Sequence, residues 1–275
     1  MFNISKNPPK LGFSVRPVFQ IAVHESDRFI LDKIKKYFND VGSITKVKLY
    51  YYYKVESFKD MRSVIIPPFE KYPLLSINKS KSFFLLKSCV ELISINRKDL
   101  TEDQLLKILK YKASFKQGLN AKVFETYKDI EPISDKEIPK PVYKKINPYW
   151  ISGFTAGDGS FGAYWHHGGY RPSFRISQDK VDELLLMDIS EFFGCGGITR
   201  SSTGMRDFYI RNIYQLNRII IPFFNKYKLC TSKEIDFNNF CEILEIINKE
   251  GNNDTTKEKI KLLTLKMNNY RRKIS

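Results

Sequence analysis

One carboxylate stands on an unusually bare stretch of backbone. In "ISGFTAGDGSF", residues 151–161, Asp158 is flanked by Gly157 and Gly159, and Gly153 lies one helical turn before Gly157. Pro148-Tyr149-Trp150 precedes the stretch, and proline near a helix start costs little because the N–H there is unpaired anyway. The spacing predicts a short helix over 150–157, in which Ser152 and Ala156 lie one turn apart, as do Gly153 and Gly157. Two small-residue stripes let a second helix approach until backbones nearly touch, and a copy of the same helix is the expected partner. Asp158 then falls at the helix C-terminus, where the macrodipole disfavours an anion and a cation compensates. Magnesium prefers hard oxygen ligands and keeps several waters, so a single Asp beside the Gly157 carbonyl is chemically sufficient for it. The same residues also read as a glycine-rich turn in which Asp158 caps local N–H groups, and spacing alone leaves both readings open.

The elements that must position this carboxylate appear twice. Arg16, Pro17, Phe19, Ile21, Asp27, Leu31, Ile34 and Phe38 recur 155 residues later as Arg171, Pro172, Phe174, Ile176, Asp182, Leu186, Ile189 and Phe193. The same offset carries Gly42, Ile65, Ile66, Pro67, Phe69, Lys71, Tyr72 and Leu74 onto Gly197, Ile220, Ile221, Pro222, Phe224, Lys226, Tyr227 and Leu229. The chain is therefore two copies of one module. In each copy a strand ("RPVFQIAV", "RPSFRISQ") is followed by a helix ("DRFILDKIKKYFND", "VDELLLMDISEFFG") and a second strand ("YYYYKVESF", "MRDFYIRNI"). Two helical stretches close it: "KDMRSVIIPPFEKY" matches "YQLNRIIIPFFNKY", and "SKSFFLLKSCVELI" matches "EIDFNNFCEILEII". Copy one adds a helix from Thr101, where Thr101 and Gln104 form a capping-box pattern. Between the copies, 119–148 carries Pro132, Pro139, Pro141 and Pro148 among mixed charges and reads as a linker.

Composition narrows the partner. Lys and Arg number 46 against 30 Asp and Glu, a net charge of +16, and such a surplus attracts polyanions. Nucleic acid is the leading class, although AT-rich codon usage also enriches lysine. Cys89, Cys195, Cys230 and Cys241 form no CxxC and no His-Cys spacing, which speaks against a zinc knuckle or a disulfide framework. They read as buried thiols in a reducing compartment. His166-His167 sits among Gly, Tyr and Trp at an expected hairpin tip. No run of eighteen apolar residues occurs, so a membrane partner is not expected.

"ISGFTAGDGSF" resembles the LAGLIDADG motif, with Ile151 to Gly159 covering its nine positions. "FSVRPVFQI", "KYPLL" and "ASFKQGL" resemble stretches of the same group, and the whole chain is similar to a monomeric two-repeat LAGLIDADG homing endonuclease of the fungal mitochondrial group I intron type. The resemblance implies an α+β fold of two pseudo-symmetric αββαββα-type modules, whose curved antiparallel sheets form a DNA-binding saddle. The modules would be 1–118 and 149–275, joined by the linker 119–148. It also implies site-specific hydrolysis of phosphodiesters in a long double-stranded DNA target, with Mg2+ or another divalent cation, by a monomer encoded in the mitochondrion. An intron RNA-binding maturase, or a DNA-binding remnant, is the alternative on the same fold.

The resemblance assigns roles residue by residue. Asp158 matches the catalytic, metal-binding acid and Gly157 the neighbour offering its carbonyl; Gln178 matches the residue that organises attacking water. Lys233 is similar to the basic residue near the reacting phosphate, and Lys79 is its counterpart in copy one, with Lys81 the alternative there. Strand alternation puts Arg175, Ser177, Asp207, Tyr209 and Arg211 on the face opposite Phe174, Ile176, Phe208 and Ile210. Gln20 and Lys54 are the counterparts of Arg175 and Tyr209, and Arg16, Arg171, Arg200 and Arg206 complete the expected DNA-binding set. Arg and Gln suit guanine and adenine edges in a major groove, while flanking cations hold phosphates.

Copy one departs from the pattern. Met1-Phe2 aligns with Ser160-Phe161, so the equivalent of Trp150 to Gly159 would lie before residue 1, and the first acid in the sequence is Glu25. The first module is therefore expected to be N-terminally truncated, through an upstream start, gene decay or a helix supplied by a partner chain. A chain with one competent acid is expected to cut both strands poorly.

Overall fold

The computed structural model describes residues 2–6, 13–93, 101–141, 146–202 and 204–267. The chain divides into two compact units, Met1–Val142 and Tyr143–Ser275. Residues 142–145 of the expected linker, and Met1, lie outside the described residues.

In the first unit β1 (Phe2–Lys6) pairs with β2 (Phe13–Pro17), and a separate antiparallel sheet follows in the order β3 (Phe19–His24), β5 (Tyr50–Val55), β4 (Ser43–Val47). The expected strand over 16–23 is thus broken at Val18. Helix α1 (Arg28–Tyr37) sits between β3 and β4. After β5 comes a helical run: α2 (Phe58–Asp60), a π turn over Met61–Ile65, then α3 (Ile66–Lys71). Pro67 and Pro68 explain the irregularity, because proline offers no N–H to the preceding turn and crowds its carbonyl. Helices α4 (Ile77–Leu92) and α5 (Glu102–Ala113) close the core, and Thr101 and Gln104 exchange both hydrogen bonds of the capping box. The expected linker carries α6 (Ala121–Thr126), whose Asn120 cap also donates from Nδ2 to the Ile4 carbonyl at 3.0 Å. Residues 119–141 are accordingly packed as part of the first unit.

The second unit repeats the plan behind a helix of its own. Helix α7 (Pro148–Asp158) is capped by the Asn147 side chain, which accepts from Tyr149 N–H at 2.8 Å. Then β6 (Gly159–His166) turns through His167 and Gly168, both at positive φ, into β7 (Gly169–Asp179), the turn geometry whose twist matches a hairpin. Helix α8 (Glu183–Phe193) leads to β8 (Gly197–Arg200) and β9 (Met205–Ile210), and the antiparallel sheet runs β6-β7-β9-β8. Next come α9 (Ile213–Gln215), a second π turn over Leu216–Ile220 and α10 (Ile221–Lys226). Helices α11 (Lys233–Glu250) and α12 (Asp254–Lys266) end the described chain.

The inward face of this sheet is aromatic. Phe161, Phe174 and Phe208 are fully buried against Phe224, Phe237 and Phe240 of the covering helices, with ring centres 5.1–5.7 Å apart for the Phe161, Phe174, Phe224 and Phe237 contacts. Each such side chain contributes about 1.5–3 kcal/mol by leaving water. This block holds β6 and β7 rigidly beneath α7. Both units are mixed helix and antiparallel sheet, an α+β fold. Of the four thiols, Cys89 and Cys241 are raised by burial to about 12 and about 11. Cys230 departs from expectation: it is exposed, because its loop lies outside the core.

Candidate active site

Asp158 is the last residue of α7 and is exposed, as is Gly157 before it. Helix α7 ends where Gly159 gives its N–H to the Thr155 carbonyl and the chain turns directly into β6. That junction needs glycine: a Cβ on Gly159 would stand 2.5 Å from Thr155 Cγ2 and 2.7 Å from its carbonyl oxygen. The two small-residue stripes of α7 separate. Ser152 faces its own unit, 5% exposed, and donates from Oγ to the Lys228 carbonyl at 2.7 Å, whereas Gly153 and Gly157 are exposed, with no atom within 4 Å of where a Cβ would stand.

Gln178, near the end of β7, donates from Nε2 to Asp158 Oδ2 at 2.8 Å. Strand parity explains the meeting: Gln178 shares the helix-facing side with Phe174 and Ile176, so its side chain emerges under the tip of α7. Its register equivalent in the first unit is Val23, opposite Tyr51 as Gln178 is opposite Arg206. Lys233 opens α11 and is 5% exposed, and the loop before it is tied to α7 through the Ser152–Lys228 bond. Lys79, in the first turn of α4, is exposed, while Lys81 is engaged with Asp135 at 2.8 Å.

The donor set at Asp158 suits a hard cation. One oxygen is oriented by an amide that cannot itself ligate through its N–H, and the carboxylate is open to solvent. Among the described residues no cluster of three or more His, Cys, Asp or Glu has metal-holding geometry; magnesium needs only one or two carboxylates, with other oxygens completing its shell.

The opposite face of the sheet is polar and cationic. Arg175 stands across from Tyr209, and Gln20 across from Lys54 in the first unit. Arg211 lies over the rings of Tyr209 at 4.5 Å and Tyr164 at 6.0 Å, and Tyr164 pairs with Arg171 across β6 and β7. Arg16 and Arg171 are exposed. Two candidates do not join this face. Arg206 and Arg200 lie on the helix-facing parity and both bind Glu183 of α8, at 2.8 Å and 2.7 Å, and these arginines hold the Glu183 carboxyl below its ordinary pKa.

One outward residue outside the expected DNA-binding set also belongs to this face. Asp207 accepts from Ser177 Oγ at 2.5 Å and lies 3.6 Å from Arg175 Nη1, so an acid orients the arginine on a face otherwise cationic. Strand alternation does place Asp207 there, but an acid is not an obvious choice for a surface that meets an anion.

Comparison with known proteins joins these observations. Residues 1–90 and 151–244 match a family model described as LAGLIDADG endonuclease. A probable intron-encoded endonuclease of Neurospora crassa is 32% identical over 260 residues, 90% of this chain and 57% of that protein; a second from the same fungus is 32% identical over 85% of this chain and 45% of its own length. The chain spans about half the length of these curated relatives. Among solved structures, the I-SmaMI LAGLIDADG homing endonuclease bound to cleaved DNA superposes with a TM-score of 0.89 at 30% identity, covering 98% of this chain and 93% of that one. Another structure of the same protein, bound to an uncleaved DNA target in the presence of calcium ions, gives a TM-score of 0.88 at 30% identity over 98% of this chain and 94% of that one.

Proposed function

The chain belongs to the LAGLIDADG endonuclease family, and on that premise we propose that it is a site-specific DNA endonuclease, intron-encoded and mitochondrial, acting as a monomer on a long duplex target with Mg2+. The single observation that carries the chemistry is the Gln178–Asp158 bond, which places an oriented, solvent-open carboxylate at a helix end. The chain's similarity to a probable intron-encoded endonuclease of Neurospora crassa and to a homing endonuclease bound to cleaved DNA supports the substrate and the origin.

In this reading Asp158 and the Gly157 carbonyl would hold the divalent ion, which would polarise a phosphate oxygen and acidify water. The bond from Gln178 leaves one oxygen of Asp158 open to such an ion. Gln178 keeps the carboxylate from rotating and aims its amide at the attacking water. Lys233 offsets charge growing on the phosphate in the transition state, and Lys79 is its counterpart in the first module. Arg175, Arg171, Arg211, Ser177 and Tyr209, with Arg16, Gln20 and Lys54, track the duplex. Arg200 and Arg206 act at a distance from the bases, by holding the end of the sheet to α8.

Purified chain incubated with DNA of its intron-free host locus, with and without Mg2+, tests the reading. Cutting at one locus, of one strand more readily than the other, that EDTA stops and that Asp158→Asn lacks, is expected. Sequence-independent nicking, metal-independent cutting, or tight binding of intron RNA with no DNA cleavage would overturn it.

A further inference from the structure

The outer part of β7 has lost its neighbour: β9 ends with Ile210 opposite Phe174, yet β7 and β6 run on together as far as His166 opposite Gly169. A two-stranded ribbon exposes backbone donors and acceptors along its free edge. Here that edge is managed twice. Pro172 has no N–H to offer, and both backbone groups of Tyr170 are taken by the side chain of Asn252. Tyr170 N–H donates to Asn252 Oδ1 at 2.8 Å, and Asn252 Nδ2 donates to the Tyr170 carbonyl at 2.6 Å. The primary amide stands where one peptide group of a third strand would.

The clamp is built to fit. Asn252 lies between α11 and α12, where Gly251 adopts φ +87° and Asn253 caps α12 by accepting from the N–H groups of Thr255 and Thr256. Gly169 leaves the room: a Cβ there would come within 2.9 Å of Asn252 Nδ2. On the same side Lys257 of α12 lies 4.5 Å from the centre of the Trp165 ring, and Trp165 packs edge-on against Tyr170 at 5.2 Å. The other side of the ribbon carries Tyr164, His166 and Arg171, continuing the row of Arg175.

We propose that Asn252 is a positioning residue for target recognition, fixing the β6–β7 ribbon so that Tyr164, His166 and Arg171 meet one outer flank of the DNA target. The inference rests on the endonuclease reading above. A ribbon held only by its β6–β7 ladder pivots beyond Phe174, where the third strand stops; the clamp removes that freedom before DNA arrives, so it need not be lost on binding. The effect is confined to the flank, because Asp158 and Gln178 lie at the opposite end of β6 and β7.

The test uses the full chain, wild type and two variants: Asn252→Ala, which removes both bonds, and Asn252→Asp, which keeps the acceptor for Tyr170 N–H and loses the donor. Each is incubated with a randomised duplex DNA library, and bound molecules are sequenced. Asn252→Ala is expected to lower base preference about tenfold at one end of the site, with the centre and the cleavage rate of bound DNA unchanged. Asn252→Asp should fall between, and amide exchange at Tyr170 should quicken in the same order. Preference that is unchanged at every position, or that falls evenly along the site, would overturn the proposal. So would faster Tyr170 exchange in Asn252→Asp with a wild-type preference profile. A wild-type chain that enriches no sequence would instead remove the endonuclease reading, and this proposal with it.

Discussion

Gln178 Nε2 donates to Asp158 Oδ2 across 2.8 Å, joining the far end of β7 to the last residue of α7. The bond predicts two different failures. Asp158→Asn keeps the shape but removes the anion, and cleavage should drop by about 10²–10³-fold while DNA binding is no weaker, since a negative group has left. Gln178→Glu replaces the amide donor by a second carboxylate that cannot donate to Asp158, so cleavage of bound DNA should fall while Gln178→Asn, which keeps a donor, loses less. Equal rates in both variants and wild type would show that the bond does not govern the acid.

Gly159 sets where that acid stands. With a Cβ at this position predicted to collide with Thr155, Gly159→Ala must push the end of α7 away from β6. Misplacement of about 1 Å can cost on the order of 100-fold in rate. Single-turnover cleavage should therefore fall far more than DNA affinity, and equal losses in both would count against a positional effect.

Asp207 should matter for discrimination more than for affinity. Its carboxylate holds Ser177 and faces Arg175, and a well-aimed arginine separates guanine from other bases by about 1–3 kcal/mol. Asp207→Ala is expected to lose about tenfold or more of that discrimination at one base pair while binding to unrelated DNA strengthens. A panel of single-base target variants, measured for Asp207→Ala and Arg175→Ala together, should show the same position affected in both.

Glu183 gives a pH signature of stability. Hydrogen bonds from Arg206 and then Arg200 lower its pKa, so its contribution is complete above the ordinary glutamate value of about 4.3 and is lost as pH falls through the lower folded value. Wild type should thus melt above Glu183→Gln at neutral pH, with the gap closing in acid. A gap that persists once the carboxyl is protonated would assign the effect to packing.

Much of this was legible beforehand. The offset of 155 transfers every element from β3 to α3 onto the second unit, and alternation sorts Phe174, Ile176, Phe208 and Ile210 inward correctly. The motif helix and its terminal acid were visible because glycine and proline punctuate them. What escaped was tertiary. β4 and β8 are too short to show a period. Alternation does not reveal that Arg200 and Arg206 share a partner, Glu183, on a neighbouring helix. Asn252 sits in a loop whose sequence announces a turn, and nothing local says that its amide will complete a distant ribbon.

The π turns at Met61–Ile65 and Leu216–Ile220 occupy the same place in both modules. A helix turn widened by one residue is an uncommon irregularity, and it recurs here at the offset that relates the modules, just before Pro67 in one and Pro222 in the other. Deleting that residue from either copy would rotate α3 or α10 by about 100°, swinging Phe69 or Phe224 away from the rings it now packs against. The extra residue therefore acts as a rotational spacer, aiming each following helix so that its phenylalanine points into the core.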